Sequence, residues 1–169
     1  MAEGYYAALL DLADGCLLRG DAAEASALAG RLAAVDTWHG TMAWHQRHRV
    51  GLVRAKLALA GGDPATAAEL ARAVAGDAGR RGASRYELLA HAVVGLADRS
   101  VPEEQLSSVV DGLGRCAVMD GWPLVLALAT ARQSEQWRRE AERRAATVVS
   151  AAGAHGDVAR RFVDRVFSG

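Results

Sequence analysis

A chain of 169 residues is long enough for one domain with a real core. Hydrophobic residues make up 51% and aromatics only 5%, so much of the apolar content is alanine, a strong helix former; three prolines and no β-branched alternation exclude a β-rich chain and predict an all-α fold. Lys plus Arg and Asp plus Glu both number 20, and this balance argues against a nucleic-acid partner.

The N-terminus has no basic segment followed by an apolar one, so no signal peptide is expected. The most apolar stretch, "WPLVLALATA" at 122–131, is too short to cross a bilayer. A cytoplasmic protein without membrane contact is the expectation. Cys16 and Cys116 show no metal spacing and no C-x-x-C, and both are expected to pack as small hydrophobes in a reducing compartment.

In chain order, helices are predicted near 3–19, 22–35, 41–60, 64–80, 85–98, 102–119, 122–132, 135–152 and 157–167. The first break is Gly20-Asp21. Gly20 can take the left-handed conformation that ends a helix, Asp21 then caps the next one, and Glu24 completes a capping box. The break in "LALAGGDPATAAELA", residues 57–71, works the same way: Gly62 ends one helix, Asp63 caps the next and Pro64 takes its first turn. A shift of 42 residues superposes the two breaks. Leu10, Ala13 and Leu17 then meet Leu52, Ala55 and Leu59, while Ala25, Leu28, Ala29 and Ala33 meet Ala67, Leu70, Ala71 and Ala75. The matches fall at helical spacing on both sides of the Gly-Asp pair, so the unit is a repeated helical hairpin.

Later breaks use related signals. Gly82 stops a helix, with Ser84 and Glu87 as the next cap and box partner. Pro102 follows Ser100, and Gly121 precedes Pro123 in a restarted helix. Gln133-Ser134 has neither Gly nor Pro, so 122–152 reads equally as two helices or one. Ala141, Ala145, Val148 and Ala152 form an inner stripe, which leaves the arginines of "WRREAERR" facing water. Val158, Phe162 and Val166 form a stripe expected to cover the last hairpin.

"DTWHGTMAWHQRHR", residues 36–49, holds His39, His45 and His48. His45 and His48 are three apart and could face one way as metal ligands do, but the segment lacks the i, i+4 histidine pair with a glutamate that makes H-E-x-x-H specific. The plain reading is a loop and a helix start, with Trp44 under the preceding hairpin and the histidines half-exposed. His91, in "LLAHAVVGL", reads as a core histidine. No metal, no cofactor and no catalytic set are expected.

The hairpins resemble tetratricopeptide-like repeats. In the first copy Leu9, Leu12 and Ala13 fall on that family's large, large and small positions. Gly20-Asp21 falls on its turn, Ala25 on the small contact of the second helix, and Ala29 and Leu32 on later packing positions. From about residue 42 to 167, the run "MAWHQRHRVGLVRAKLALAGGDPATAAELA", "GASRYELLAHAVVGLA", "GWPLVLALATA" and "AERRAATVVSAAGAHGDVARRFVDRV" is similar to the C-terminal repeat region of large bacterial regulators with an ATPase and a cyclase or LuxR-type output domain. The resemblance implies a right-handed stack of antiparallel hairpins at about 3–35, 41–80, 85–119 and 122–152, with a capping helix at 157–167. It also implies a concave groove lined by the first helix of each hairpin.

Projecting the first copy onto the others places Asp11, Asp14, Arg49 and Lys56 in the groove, then Tyr86, Ala90 and Val93, then Val125 and Leu128. The first half is charged and the second apolar. The expected function is a non-catalytic module of a regulatory system that binds a partner helix or peptide, or a second copy of itself, through Val93, Val125 and Leu128. Aspartate at Val93 and Leu128 should then abolish association and leave the helices intact. The alternatives are a sensor holding a small apolar molecule in the same groove and, third, a metal-dependent enzyme using the His39–His48 segment.

Overall fold

The computed structural model describes residues 2–32, 43–116 and 118–168. Those residues are helical, with no strand among them. The helices are α1 (Ala2–Leu18), α2 (Ala22–Gly30), α3 (Ala43–Ala60), α4 (Pro64–Arg80), α5 (Ser84–Ala97), α6 (Glu103–Cys116), α7 (Val118–Arg132), α8 (Glu135–Ala151) and α9 (Gly156–Ser168), with a 3-10 turn at Gly153–His155 before the last. Helix α2 stops at Gly30, short of the predicted 35. Ala33, Asp36, Thr37, His39 and the predicted start of the third helix lie outside the described residues.

One backbone device makes four of the turns. The residue after the left-handed one donates its N–H to the carbonyl five residues back: Asp21 to Cys16, Asp63 to Ala58, Ala83 to Ala78 and Ser134 to Ala129, each at 2.9 Å. The left-handed residues are Gly20 (φ 77), Gly62 (φ 79), Gly82 (φ 66) and Gln133 (φ 55). The donor residue is also the N-cap of the next helix, so two helices reverse direction within a few residues. Asp21 and Asp63 accept from Glu24 N–H at 3.1 Å and Thr66 N–H at 3.0 Å, and Ser134 accepts from Trp137 N–H at 3.4 Å.

Two predicted caps are corrected. Ser84 is already inside α5 and the N-cap is Ala83, which makes no side-chain cap bond. Glu87 lies instead over Gly79, where a Cβ would come within 3.1 Å of its Oε1. The helix expected to restart after Gly121 begins at Val118, so Pro123 lies inside α7 rather than in its first turn. Gln133-Ser134 does break the chain, and α7 and α8 are separate helices.

Neighbours in sequence pack side by side: α1 with α2, α3 with α4, α4 with α5, α5 with α6, α7 with α8 and α8 with α9. Across these pairs α1 lies on α3, α3 on α5 and α5 on α7, which makes one wall of odd-numbered helices. Two apolar clusters fill the interior. The smaller joins Leu9, Leu10, Ala13 and Cys16 of α1 to Ala25 and Leu28 of α2, to Leu32 and to Val50 and Val53 of α3. The larger runs from Leu52 and Ala55 of α3 through α9, so α3 presents one face to each.

Several side chains depart from the sequence expectation. Leu12, on a large packing position of the repeat pattern, is 57% exposed. Cys116 is exposed, with its thiol donating to the Gly112 carbonyl at 3.3 Å. Arg144 does not face water: it is 3% exposed, with Nη2 donating to the Val110 carbonyl at 2.7 Å and Nε to Glu140 at 2.6 Å. Glycine at 114 makes the room, because a Cβ there would stand 2.6 Å from Arg144 Nη2. Helix α9 buries Val163; of the predicted stripe Val166 packs on the larger cluster while Val158 and Phe162 are exposed, and Phe167 stacks on Trp122 at 5.7 Å between centroids.

Candidate functional site

The wall of odd-numbered helices is concave. Helices α1, α3, α5 and α7 line a cleft of about 850 Å³, and Phe162 of α9 completes the lining at the α7 end. Asp11, Asp14, Arg49, Lys56 and Tyr86 all line it, as the projection from the first repeat predicts.

Val93, Val125 and Leu128 do not, and this part of the projection is corrected: all three are 0% exposed inside the core, as is Ala90. Helix α5 turns Leu89 and Leu96 to the cleft, and α7 turns Pro123, Leu124 and Ala127 to it. Both helices are packed on several sides and are apolar nearly all round. Apolar periodicity therefore cannot tell the cleft face from the core face. Helices α1 and α3 turn Asp11, Asp14, Arg49 and Lys56 to the cleft, and there the projection holds.

The charged half of the cleft is paired. Lys56 Nζ lies 2.7 Å from Asp14 Oδ1, and Arg49 binds Asp11. In each pair the cation is the more buried member: side-chain exposure is 19% for Arg49 against 73% for Asp11, and 25% for Lys56 against 36% for Asp14. Arg85, which the sequence reading missed, adds a third cation and holds its guanidinium carbon 5.8 Å from the Tyr86 ring centre. Apolar side chains complete the lining: Leu17, Leu18, Leu52, Leu59 and Ala60 on the α1–α3 side, and Leu89, Leu96, Trp122, Pro123, Leu124, Ala127 and Phe162 on the other.

In the predicted histidine segment, His45 and His48 both pack on Trp44 and Tyr86 but take different hydrogen-bond partners. His45 lines the cleft and its Nε2 lies 2.6 Å from the Tyr86 hydroxyl. His48 packs on the same Tyr86 ring at 5.4 Å between centroids but is buried, not half-exposed, with Nε2 2.8 Å from Asp77 Oδ2. The hydrogen bond from Arg81, then the one from His48, brings the Asp77 carboxyl down from 3.8 to about 2. Trp44 packs edge-on to Tyr86 at 6.4 Å, so it joins the hairpin that follows and not the one before. His39 lies outside the described residues. No group of three or more His, Cys, Asp or Glu among the described residues could hold a metal ion. His91 is half-buried and not a core residue. Apart from Arg144, the arginine-rich helix α8 is a solvated face laced by Arg138–Glu142 at 3.5 Å and Arg143–Glu140 at 2.6 Å.

The arrangement is thus a cleft with paired charges on α1 and α3, a tyrosine–histidine hydrogen bond between α3 and α5, and an apolar wall from α5, α7 and Phe162. Such groups hold a ligand by charge, hydrogen bonding and burial. None of the described helices is long and apolar enough to cross a membrane. Compared with protein-family models, with curated proteins and with solved structures, the chain matches none.

Proposed function

We propose that this chain is a non-catalytic interaction module of a bacterial regulatory system, and that the cleft is its recognition surface. In this reading the molecule is a right-handed stack of tetratricopeptide-like hairpins ended by α9. Two features support the stack: the Gly-Asp turn occurs twice, at Gly20-Asp21 and Gly62-Asp63, and α1 lies on α3, α3 on α5 and α5 on α7. The observation that carries the functional reading is the cleft itself, because residues from four helices distant in sequence converge on one concavity whose charged side chains come from α1, α3 and the start of α5. A partner helix or peptide, or a second copy of the chain, suits such a surface. Ligand sensing has its own support: the cleft volume falls within the range of small-molecule sites, and most of its lining is apolar.

Site-specific photo-crosslinking in the native host tests the reading. A photo-reactive side chain at Ala127, on the cleft wall, should capture a defined species, whereas one at Arg139, on the solvated face of α8, should not. Equal labelling from both positions, or none from Ala127, would remove the cleft from consideration.

A further inference from the structure

We propose that α9 is a hinged arm: it leaves the body as one unit by rotation at Gly153, uncovers the Trp122 ring and withdraws Phe162 from the cleft wall. Such a motion is independent of what the cleft holds.

The arm is held by apolar contact. Of its 13 residues only Val163 is buried, while Val166 and Phe167 are partly buried against the larger cluster. Phe167 stacks on Trp122 with the ring planes 7° apart, and Phe162 meets the same ring edge-on at 6.4 Å. Among the described residues, no hydrogen bond or ion pair joins a side chain of α9 to another helix; Ser168 donates within α9, to the Asp164 carbonyl at 2.7 Å. Helix α8 is anchored differently. It buries Trp137, Ala141, Arg144 and Ala145, and Arg144 donates to the Val110 carbonyl of α6. A groove of about 930 Å³, with Ala146 and Val149 on one side and Arg160 and Phe167 on the other, runs between α8 and α9. The facing sides of the two helices therefore do not fill the space between them. Apolar contact is non-directional, so it opposes separation without fixing the arm as a network of hydrogen bonds would.

The joint is Gly153. Its φ is 53, it is exposed, and a Cβ there would meet nothing within 4 Å. Glycine exchanges this conformation for others at little cost, so rotation here carries α9 away without disturbing the hydrogen bonds of α8. Once released, a helix of 13 residues is marginal in water, and opening therefore costs α9 its amide protection. Trp122 and Phe162 both line the cleft, so the arm and the shape of the cleft change together.

Hydrogen exchange of the full chain, read amide by amide by nuclear magnetic resonance, tests the arm. The amides from Arg160 to Phe167 should share one protection factor, at least about tenfold below that of α8. Phe167→Ala should lower it by a further factor of about ten, through loss of the aromatic pair and its burial, with α3 to α6 unchanged. Gly153→Ala should raise opening about fivefold across the whole of α9, because alanine is disfavoured at the φ of the closed turn. In fluorotryptophan-labelled protein, Phe167→Ala should move the fluorine signal of Trp122 and leave that of Trp44 in place. Protection that climbs step by step from Ser168 towards Gly156 means unwinding from one end and overturns the arm, as does protection equal to that of α8. Unchanged α9 exchange in Gly153→Ala overturns the hinge, and an unmoved Trp122 signal in Phe167→Ala overturns the covering of that ring. Should Phe167→Ala fail to fold, the parent profile and Gly153→Ala still decide between one unit and an unwinding end.

Discussion

Lys56 and Asp14 are one repeat interval apart, 42 residues, and their side chains meet at 2.7 Å. Equivalent positions on α1 and α3 therefore face each other across the cleft wall. The pair ties two helices that share a hydrophobic cluster but no short connection. Its stabilising effect should be small, because both side chains are partly hydrated. Lys56→Met should lower stability by no more than about 1 kcal/mol, and less at high salt. Thermal melts at low and high ionic strength check this; a loss of several kcal/mol would mean the pair is better buried than its exposure indicates.

The turns make a sharper prediction because one backbone conformation is held by different residues. Gly62 has φ 79 and Gln133 has φ 55. Gly62→Val should destabilise by about 1–2 kcal/mol, since a β-branched side chain clashes with the backbone there. Gln133→Gly should go the other way, with a gain below about 1 kcal/mol after the entropy of glycine in the unfolded chain is counted. Denaturant midpoints of the two variants should move in opposite directions, and a shared direction contradicts the turn geometry.

Asp77 contributes to the pH dependence of stability. Its carboxyl is lowered from 3.8 to about 2 by hydrogen bonds from Arg81 and then His48. A carboxyl lowered on folding contributes stability that is present above its unfolded value and lost as pH falls through its folded one. The window is therefore about pH 4 down to about 2. Asp77→Asn should be less stable than the parent at neutral pH, and the difference should shrink across that window. A gap between the two proteins that stays constant from pH 6 to pH 2 would sink the assignment.

Val93 tests the corrected register of α5. It is 0% exposed, packed in the larger cluster. An aspartate there buries an unpaired carboxylate, so Val93→Asp should cost several kcal/mol and take the helical signal with it. A well-folded Val93→Asp protein with native circular dichroism would restore Val93 to the surface.

The turns and the helices between them were legible because their causes are local. A glycine tolerates positive φ, an aspartate caps the next N-terminus, and both signals need only the residues on either side. Gln133 hid its turn because glutamine has no special ease in that conformation; the packing of α7 against α8 holds it there. The charged part of the cleft was legible too, since Asp14 and Lys56 stand at hairpin spacing, Asp11 and Arg49 precede them at helical spacing on the same helices, and charge stays near water on any helix.

Tertiary structure alone decided the rest. Helices α5 and α7 are apolar on nearly every side, so only their neighbours determine that Leu89 and Leu124 face the cleft while Val93 and Leu128 face the core. Arg144 is buried because Gly114 on α6 leaves room and the Val110 carbonyl accepts its proton, a partnership across 34 residues that no local pattern announces. His48 finds Asp77 in the same way, across 29 residues. Hydrophobic and capping patterns act along the chain and can be read there, whereas the choice among several equally apolar faces depends on which helix arrives beside them.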